Sequence, residues 1–141
     1  MPDQIRLLAV QETPIDIAAV YSAVGDPAVG GVALFVGTVR DHDGGQDVAS
    51  LDYSAHPRVE ATLREVAGDV VERYEVTTLA AVHRVGRLEI GDVAVVTAVG
   101  CAHRGEAFDA CRALIDELKQ RLPIWKHQLF ADGGEEWVGT P

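Results

Sequence analysis

Three things are scarce in this 141-residue sequence: cysteine, long apolar runs and lysine. Its two cysteines, Cys101 and Cys111, are too few for the disulfide framework of a small secreted protein. No apolar run approaches the roughly 20 residues that cross a bilayer, and the N-terminus lacks the basic start and apolar stretch of a secretory signal. We therefore expect neither a membrane protein nor a secreted one, and the predicted compartment is the cytoplasm.

Lysine is the scarcest of the charged residues. Ten of the 12 basic residues are arginines, and the two lysines, Lys119 and Lys126, stand seven positions apart. Arginine keeps its proton at any accessible pH, whereas lysine can lose it where burial or a neighbouring cation lowers its pKa. The neighbouring Trp125 suggests partial burial of Lys126, which would suit an acid, base or nucleophile. The alternatives are codon bias and, for Lys119, the ordinary preference for a cation near a helix C-terminus.

Negative charge outweighs positive charge. With 22 acidic and 12 basic residues the formal net charge is −10 at pH 7, which argues against nucleic acid and anionic membranes as partners. A local basic pocket for a small anion is still compatible with this balance. The length is that of one ordinary domain, so residues 1–141 are expected to form a single domain with its own hydrophobic core.

Apolar periodicity predicts an α+β fold in which helices cover a mostly antiparallel sheet. Valine-rich regions typical of strands alternate with three regions of helical spacing, and glycine or proline separates them. The predicted strands are 5–10, 31–39, 48–55, 76–85, 93–101 and a short pair around the turn at 132–134, and the predicted helices are 13–24, one opened by Pro57, and 105–121.

The same patterns make local predictions. Thr13 is predicted to cap the first helix, with Pro14 in its first turn. The run 31–39, which is continuously apolar for most of its length, is typical of a buried strand, and with strand 48–55 it predicts a long hairpin with an exposed, mobile tip. Two helices are each expected to bury one apolar face. These faces are Val59, Leu63, Val66, Val70 and Tyr74 in one helix and Phe108, Cys111, Leu114, Ile115 and Leu118 in the other.

Two segments are candidates for binding an anion. His103 and Arg104 fall where a strand gives way to the last long helix, and the free N–H groups of a helix N-terminus favour phosphate. The alternative there is a loop that simply faces solvent. Arg40 ends a predicted strand and could contact phosphate through two hydrogen bonds, or pair instead with Asp41 or Asp43.

Other kinds of site are not expected. The five histidines are scattered, and no pair has a metal-binding spacing with a third ligand, so we predict no metal site. There is neither a P-loop nor the glycine fingerprint of dinucleotide binding, and no cofactor is predicted. Cys101 and Cys111 fall at apolar positions, where cysteine usually acts as a small hydrophobic residue rather than as a nucleophile.

An ordered set of short segments resembles the MoaE family, the large subunits of molybdopterin synthases. The segments run in the family's order from about residue 31 to residue 138, and it is the ordered set that is specific. They are Phe35-Val36-Gly37-Thr38-Val39-Arg40-Asp41-His42-Asp43-Gly44-Gly45, Leu51-Asp52-Tyr53 before Pro57, His83-Arg84-Val85-Gly86 with Leu88, Ala102-His103-Arg104 with Ala107-Phe108, Leu118-Lys119, Pro123-Ile124-Trp125-Lys126, Asp132-Gly133 and Trp137-Val138.

The resemblance implies an α/β-hammerhead-like fold with two long helices and a small additional β subdomain. It also implies a homodimer that binds a small ubiquitin-like sulfur-carrier subunit at each end, which makes a heterotetramer. The implied substrate is cyclic pyranopterin monophosphate. Sulfur from the thiocarboxylate on the carrier's C-terminal Gly-Gly tail would form the dithiolene of molybdopterin, and each spent carrier would leave as a carboxylate.

The same resemblance assigns roles to residues. Lys119 would be the central acid or base, with Lys126 supporting it electrostatically, and the substrate phosphate would bind in a pocket shared with a second protomer. The implied substrate-binding positions are Thr38, Val39, Arg40, His103, Arg104, Lys119, Lys126, His127 and Gln128. Thr38 stands where some relatives carry a basic residue, and His127-Gln128 stand where others have a basic residue and an acid.

Two other functions are compatible with these residues. One is a Schiff-base lyase that uses Lys119 or Lys126 to trap a substrate carbonyl. The other is a non-catalytic dimeric scaffold that binds a ubiquitin-like protein and needs neither lysine for chemistry.

Overall fold

The computed structural model describes residues 2–139, which form three helices and nine strands. The helices are α1 (Ile17–Ala23), α2 (Val59–Arg73) and α3 (Arg104–Arg121). The strands are β1 (Ile5–Gln11), β2 (Gly31–Thr38), β3 (His42–Asp43), β4 (Gln46–Ala55), β5 (Thr78–Arg84), β6 (Gly86–Glu89), β7 (Val93–Cys101), β8 (Ile124–Phe130) and β9 (Glu135–Gly139).

The first sheet has the strand order β1-β5-β7-β2. Only β1 and β5 run parallel, and the other neighbours are antiparallel. The helices α2 and α3 pack on one face and α1 on the other, with a cluster of buried apolar residues on each side. The central strands β5 and β7 are buried on both faces, which explains why they are rich in valine and alanine.

The second sheet has the order β3-β4-β8-β9, and β6 pairs with β4 beside this path. Every pairing in it is antiparallel. A smaller core of its own holds it together, made of Val39, Val48, Leu51, Leu88, Ala94 and Phe130. The predicted α+β class, with mostly antiparallel sheets and two long helices, is therefore confirmed, and this sheet corresponds to the additional β subdomain.

The apolar face predicted for α2 is confirmed. Val59, Leu63, Val66 and Val70 are all buried, and Tyr74 forms the C-cap of the helix and packs partly against the same core. Their spacing of three and four residues places them on the stripe that faces the sheet and α3.

The first helix begins later than the sequence predicted. It starts at Ile17, and its N-cap is Asp16, whose carboxylate accepts a hydrogen bond from the Ala19 N–H at 3.1 Å. Thr13 accepts a hydrogen bond from the Gln11 side chain instead. Threonine and aspartate both favour the cap position, and the aspartate takes it because it directly precedes the residues that pack on the sheet.

The sequence predicts a buried strand at 31–39, but the structure places β2 at the edge of the first sheet. Leu34 is 42% exposed and Phe35 is 38% exposed, although the strand pairs fully with β7 on its other side. An apolar run shows that a segment is a strand without showing whether it is central. Edge strands usually carry charges that prevent further pairing, so an apolar edge marks an interaction surface.

The predicted hairpin between strands 31–39 and 48–55 is also wrong. β2 pairs with β7 in the first sheet, whereas β4 pairs with β3, β6 and β8 in the second. A short hairpin does join β3 and β4, and its turn is Gly44-Gly45, with φ of +57° and +82°. Such values favour glycine because a Cβ would be strained there.

Phe108 does not share the buried face of α3. It is 65% exposed, while Cys111, Leu114 and Leu118 are buried as predicted. Ala107 and Ala110 fill the face near the start of the helix, and their small side chains let it approach the sheet closely. β3 and β6 went unpredicted because two and four residues are too short to show alternation.

Candidate active site

Lys119 and Lys126 converge where the two sheets meet. Lys119 lies in the last turn of α3, which ends at Arg121, and Pro123 precedes the strand that carries Lys126. In the second sheet Lys126 lies directly opposite Tyr53 of β4. Both lysines and Tyr53 line two adjoining cavities, which we call the apolar cavity and the polar cavity.

The apolar cavity has a volume of about 210 Å³. Its hydrophobic lining comes from β7, the C-terminal half of α3, β8 and β9. These residues are Val95, Ile115, Leu118, Leu122, Ile124 and Val138. Ile115 therefore lines this cavity rather than the closed core. An apolar cavity with two amines at its rim is suited to a ligand whose uncharged part enters and whose charged end stays beside the lysines.

The polar cavity has a volume of about 240 Å³ and lies on the side of the β3–β4 hairpin. Arg40, which is largely exposed, pairs with Asp43 at 3.4 Å. Gln128 is buried and donates a hydrogen bond of 2.7 Å to the other carboxylate oxygen of Asp43. The hydrogen bond from Gln128, and then the charges of Lys126 and Arg40, lower the pKa of Asp43.

The two amines differ in their electrostatics. Lys119 is accessible from the cavities, yet enough protein surrounds its amine that burial lowers its pKa, and the charge of Lys126 lowers it further. Two cations at one site favour the loss of a proton from the more desolvated one. Lys119 is therefore the amine that gives up a proton more readily, and its role in the chemistry stays a prediction.

His83 is a feature of the site that the residue-by-residue reading of the sequence missed. It lies at the end of β5, lines the apolar cavity and contacts Tyr53 edge to face, with ring centroids 5.2 Å apart. Burial lowers its pKa to about 4, and the charge of Lys119 contributes. Burial also raises the pKa of Tyr53, so the phenol keeps its proton. A histidine that directly follows an apolar run within a strand was the available signal.

His103 and Arg104 lie at the other end of α3. His103 is the N-cap, Arg104 opens the helix, and both are exposed. Fifteen residues separate Arg104 from Lys119, which corresponds to about 22 Å along the helix axis. Within one chain the structure therefore brings Arg40, Lys119 and Lys126 together but leaves His103 and Arg104 apart from them.

Three of the remaining expected positions differ in what they can offer. Thr38 is exposed at the rim of the polar cavity. Val39 borders the same cavity, but its side chain is buried, its N–H donates to Asp92 and its carbonyl accepts from Gly91. His127 faces away from Lys126, as alternation along a strand requires, and stacks on Trp137 with centroids 4.3 Å apart.

The two cysteines are buried and unpaired. Burial raises the pKa of both thiols, which keeps them protonated and poorly nucleophilic. Within residues 2–139 no three metal-ligating side chains form a cluster, and no helix of that part of the chain is long and apolar enough to cross a membrane.

Comparison with known proteins places the chain in a family. The family model described as MoaE protein matches residues 10–121. Molybdopterin synthase catalytic subunit 1 of Mycobacterium tuberculosis is 46% identical over 129 residues, covering 91% of this chain and 87% of that protein. The molybdopterin synthase catalytic subunit of Halalkalibacterium halodurans is 41% identical over 135 residues, covering 95% of this chain and 86% of that protein. The crystal structure of molybdopterin synthase from Staphylococcus aureus superposes with a TM-score of 0.86 at 32% identity, covering 92% of this chain and 95% of that chain. The chain therefore belongs to the MoaE family, the molybdopterin synthase catalytic subunits of molybdenum cofactor biosynthesis.

Proposed function

We propose that this chain transfers sulfur from the C-terminal thiocarboxylate of a small ubiquitin-like carrier subunit to cyclic pyranopterin monophosphate, forming the dithiolene of molybdopterin. The observation that carries the proposal is the pair Lys119 and Lys126 at the junction of an apolar and a polar cavity. The names of the relatives support it, because a catalytic subunit implies a further subunit. We place the reaction in the cytoplasm, which agrees with two unpaired cysteines.

The apolar cavity suits the tail of the carrier. A Gly-Gly tail has no side chains, so its backbone can enter a cavity of about 210 Å³ while its terminal acyl sulfur stays beside the two ammonium groups. The ammonium groups of Lys119 and Lys126 would neutralise the thiocarboxylate and stabilise the negative charge that develops on its carbonyl oxygen. This arrangement positions the sulfur without a cofactor.

The polar cavity suits the substrate phosphate. Arg40 offers its guanidinium at the rim, where it is paired only loosely with Asp43, so a phosphate can replace that carboxylate. Lys126 lines both cavities and can therefore contact the substrate and the tail at once. Gln128 holds the Asp43 carboxylate in place by donating a hydrogen bond to it, which makes Gln128 a supporting residue in this proposal.

The chemistry needs proton transfer but no change of oxidation state in the protein. The carrier sulfur forms a bond to a substrate carbon as that carbon's bond to an oxygen breaks and the oxygen takes up a proton. Water then cleaves the acyl carbon–sulfur bond, and its oxygen stays on the carrier. The carrier leaves as a carboxylate, the sulfur remains on the pterin, and a second carrier repeats the transfer. Lys119, whose pKa is lowered by burial, would donate and accept the protons at the reacting carbons.

The exposed edge of β2 is the surface we assign to dimerisation. Leu34 and Phe35 occupy the middle of this strand, and Phe108 of α3 is a third exposed large apolar residue. A twofold axis near Leu34 and Phe35 would pair two β2 strands antiparallel and bury these side chains against their copies. The paired edges would also satisfy backbone groups that are otherwise open to solvent.

This arrangement explains how the distant anion-binding residues reach the lysines. β2 spans about 23 Å from Gly31 to Thr38, close to the distance from Arg104 to Lys119 along α3. Gly31 contacts the start of α3, whereas Thr38 borders the polar cavity. Antiparallel pairing of two β2 strands would thus bring His103 and Arg104 of one protomer to the polar cavity of the other.

Product formation tests the proposal. Protein, thiocarboxylated carrier and cyclic pyranopterin monophosphate are mixed, and dithiolene product is measured for wild type, Lys119→Ala and Lys126→Ala. Arg112→Ala is the matched control, because it removes an exposed cation from the same helix. We expect almost no product from Lys119→Ala, a strong decrease for Lys126→Ala and wild-type rates for Arg112→Ala.

Two results would contradict the proposal. Full activity of Lys119→Ala together with carrier binding would favour the scaffold function. A substrate adduct on either lysine that borohydride reduces and traps would favour the Schiff-base lyase.

A further inference from the structure

Tyr53 carries a polar group at the point where the two cavities adjoin. Within residues 2–139, only Tyr53, Lys119 and Lys126 line both the apolar and the polar cavity. A carrier tail in one cavity and a substrate in the other meet at this junction, so their reacting atoms come to lie beside these three side chains. The chemistry of the two lysines leaves the hydroxyl of Tyr53 without a role.

The hydroxyl of Tyr53 is open to a ligand. Burial alone raises the pKa of this phenol, and no hydrogen bond within residues 2–139 contributes to the shift. The side-chain polar atoms of this part of the chain that are both sealed from solvent and unpartnered comprise only Nε2 of His127, so the oxygen of Tyr53 is reached from the cavities. A buried tyrosine hydroxyl usually has a hydrogen-bond partner within its protein. This one instead faces the space where, in the proposed function, tail and substrate react.

The surroundings of Tyr53 fix its position. Its strand, β4, pairs with β8 on one side, where Tyr53 lies opposite Lys126, and with β6 on the other, where it lies opposite Gly86. Directly opposite residues of antiparallel strands have Cβ atoms about 4.5–5.5 Å apart and face the same way, so the phenol and the Lys126 side chain lie next to each other. The ring packs partly against the small core of the second sheet and contacts His83 edge to face. A hydroxyl held in this way can stabilise a developing charge without first reorganising.

We propose that Tyr53 is a further catalytic residue: its hydroxyl donates a hydrogen bond to the carrier's acyl oxygen when water attacks the thioester that joins carrier and pterin. This inference rests on the proposed function. The acyl group reaches the junction from the apolar cavity, whereas the phosphate is assigned to Arg40, which of the two cavities lines only the polar one. A phenol can both donate and accept, but an oxygen that gains negative charge can only accept, so Tyr53 is the donor.

Tyr53 keeps its proton throughout the step. The oxygen of water bonds to the acyl carbon, the electron pair of the carbonyl moves onto the acyl oxygen, and the proton lost from water passes to Lys119 in its neutral form. When the carbonyl forms again, the acyl carbon–sulfur bond breaks, and the sulfur keeps the bonding pair, takes up that proton and stays on the pterin. The hydroxyl of Tyr53 acts between these two events, because its hydrogen bond is strongest while the acyl oxygen is negative.

Tyr53→Phe tests this role, because it removes the hydroxyl and keeps the ring. Tyr74→Phe is the matched control, since Tyr74 is also partly buried but packs at the end of α2, away from both cavities. Each protein is mixed with thiocarboxylated carrier and cyclic pyranopterin monophosphate, product is measured, and the intact mass of the carrier is determined after an acid quench. We expect Tyr53→Phe to lower kcat about 10- to 100-fold with little change in KM. That is less than the roughly 100- to 1,000-fold loss of a main oxyanion donor, because two ammonium groups share the charge.

The mass of the carrier identifies the step that slows. We expect a carrier–pterin thioester to accumulate with Tyr53→Phe but not with wild type or Tyr74→Phe, because only its hydrolysis loses a hydrogen bond. An unchanged kcat, or a lower kcat without this adduct, would overturn the role of Tyr53 while product from wild type still supports the proposed function. A wild type that forms no product would contradict the proposed function itself.

Thermal unfolding separates this role from a structural one. The hydroxyl has no partner among residues 2–139, so its removal should leave the melting temperature of the protein unchanged or slightly higher. A melting temperature several degrees lower in Tyr53→Phe than in Tyr74→Phe would show that the hydroxyl stabilises the fold and would contradict the assignment.

Discussion

Replacing Leu34 by aspartate should break the homodimer. Fully burying a leucine side chain contributes about 1.5–3 kcal/mol, and Leu34 keeps 42% of its surface exposed in the single chain. Burial of that fraction contributes about 0.6–1.3 kcal/mol in each protomer. The substitution occurs twice in a twofold interface, so the loss is about 1.2–2.5 kcal/mol, which corresponds to a roughly 8- to 70-fold weaker dimer. Two carboxylates near the axis weaken it further.

Sedimentation velocity over a range of concentrations measures this change. Leu129→Asp is the matched control, because Leu129 is 37% exposed but lies on β8 in the second sheet. We expect the control to stay dimeric at concentrations where Leu34→Asp is monomeric. Equal dimer affinities for Leu34→Asp and wild type would refute the assignment of the β2 edge, and so would a wild-type protein that is monomeric at every concentration.

Three further outcomes follow from the same geometry. Mixing inactive Lys119→Ala and Arg104→Ala proteins and allowing protomers to exchange should restore part of the activity, because one site of each mixed dimer is intact; a mixture that stays inactive contradicts a shared site. If the Lys119 ammonium donates a proton, kcat should fall as pH rises through its lowered pKa, and Lys126→Met should move that limb to higher pH by removing the repelling charge, whereas an unmoved limb contradicts the coupling. Leu114→Ala, at a fully buried position of α3, should lower the free energy of unfolding by about 2–5 kcal/mol in denaturant titrations, and a loss below about 1 kcal/mol would contradict its place in the core.

The sequence predicted the elements whose apolar spacing is long and regular. The face of α2 could be read in advance because four turns of helix repeat the same three- and four-residue spacing. The sequence could not show that β2 is an edge strand. Apolar side chains that face a core and apolar side chains that face another protein give the same pattern along the sequence. The predicted hairpin was wrong for a related reason. Strand pairing depends on contacts between segments that are distant in the sequence, and β4 pairs with β6 and β8 rather than with β2.

The site was predictable to a different degree for each residue. The rarity of lysine pointed to Lys119 and Lys126, but their meeting depends on how β8 crosses beside the end of α3. Alternation along β8 predicts that the side chain of His127 faces away from those of Lys126 and Gln128, because successive side chains of a strand face opposite ways. His83 was hidden in a mostly apolar strand, since nothing local shows that it lines a cavity. The proposed contribution of His103 and Arg104 depends on a second protomer, because within one chain they lie at the other end of α3.

The most direct test of the central claim follows sulfur in a single turnover. Carrier with radiolabelled sulfur in its thiocarboxylate is mixed with excess enzyme and cyclic pyranopterin monophosphate, and the label is located after quenching. The account predicts that wild type moves the label to the pterin and releases a carrier carboxylate, whereas Lys119→Ala binds the carrier but leaves the label on it. Label reaching the pterin at the same rate in Lys119→Ala would contradict the account.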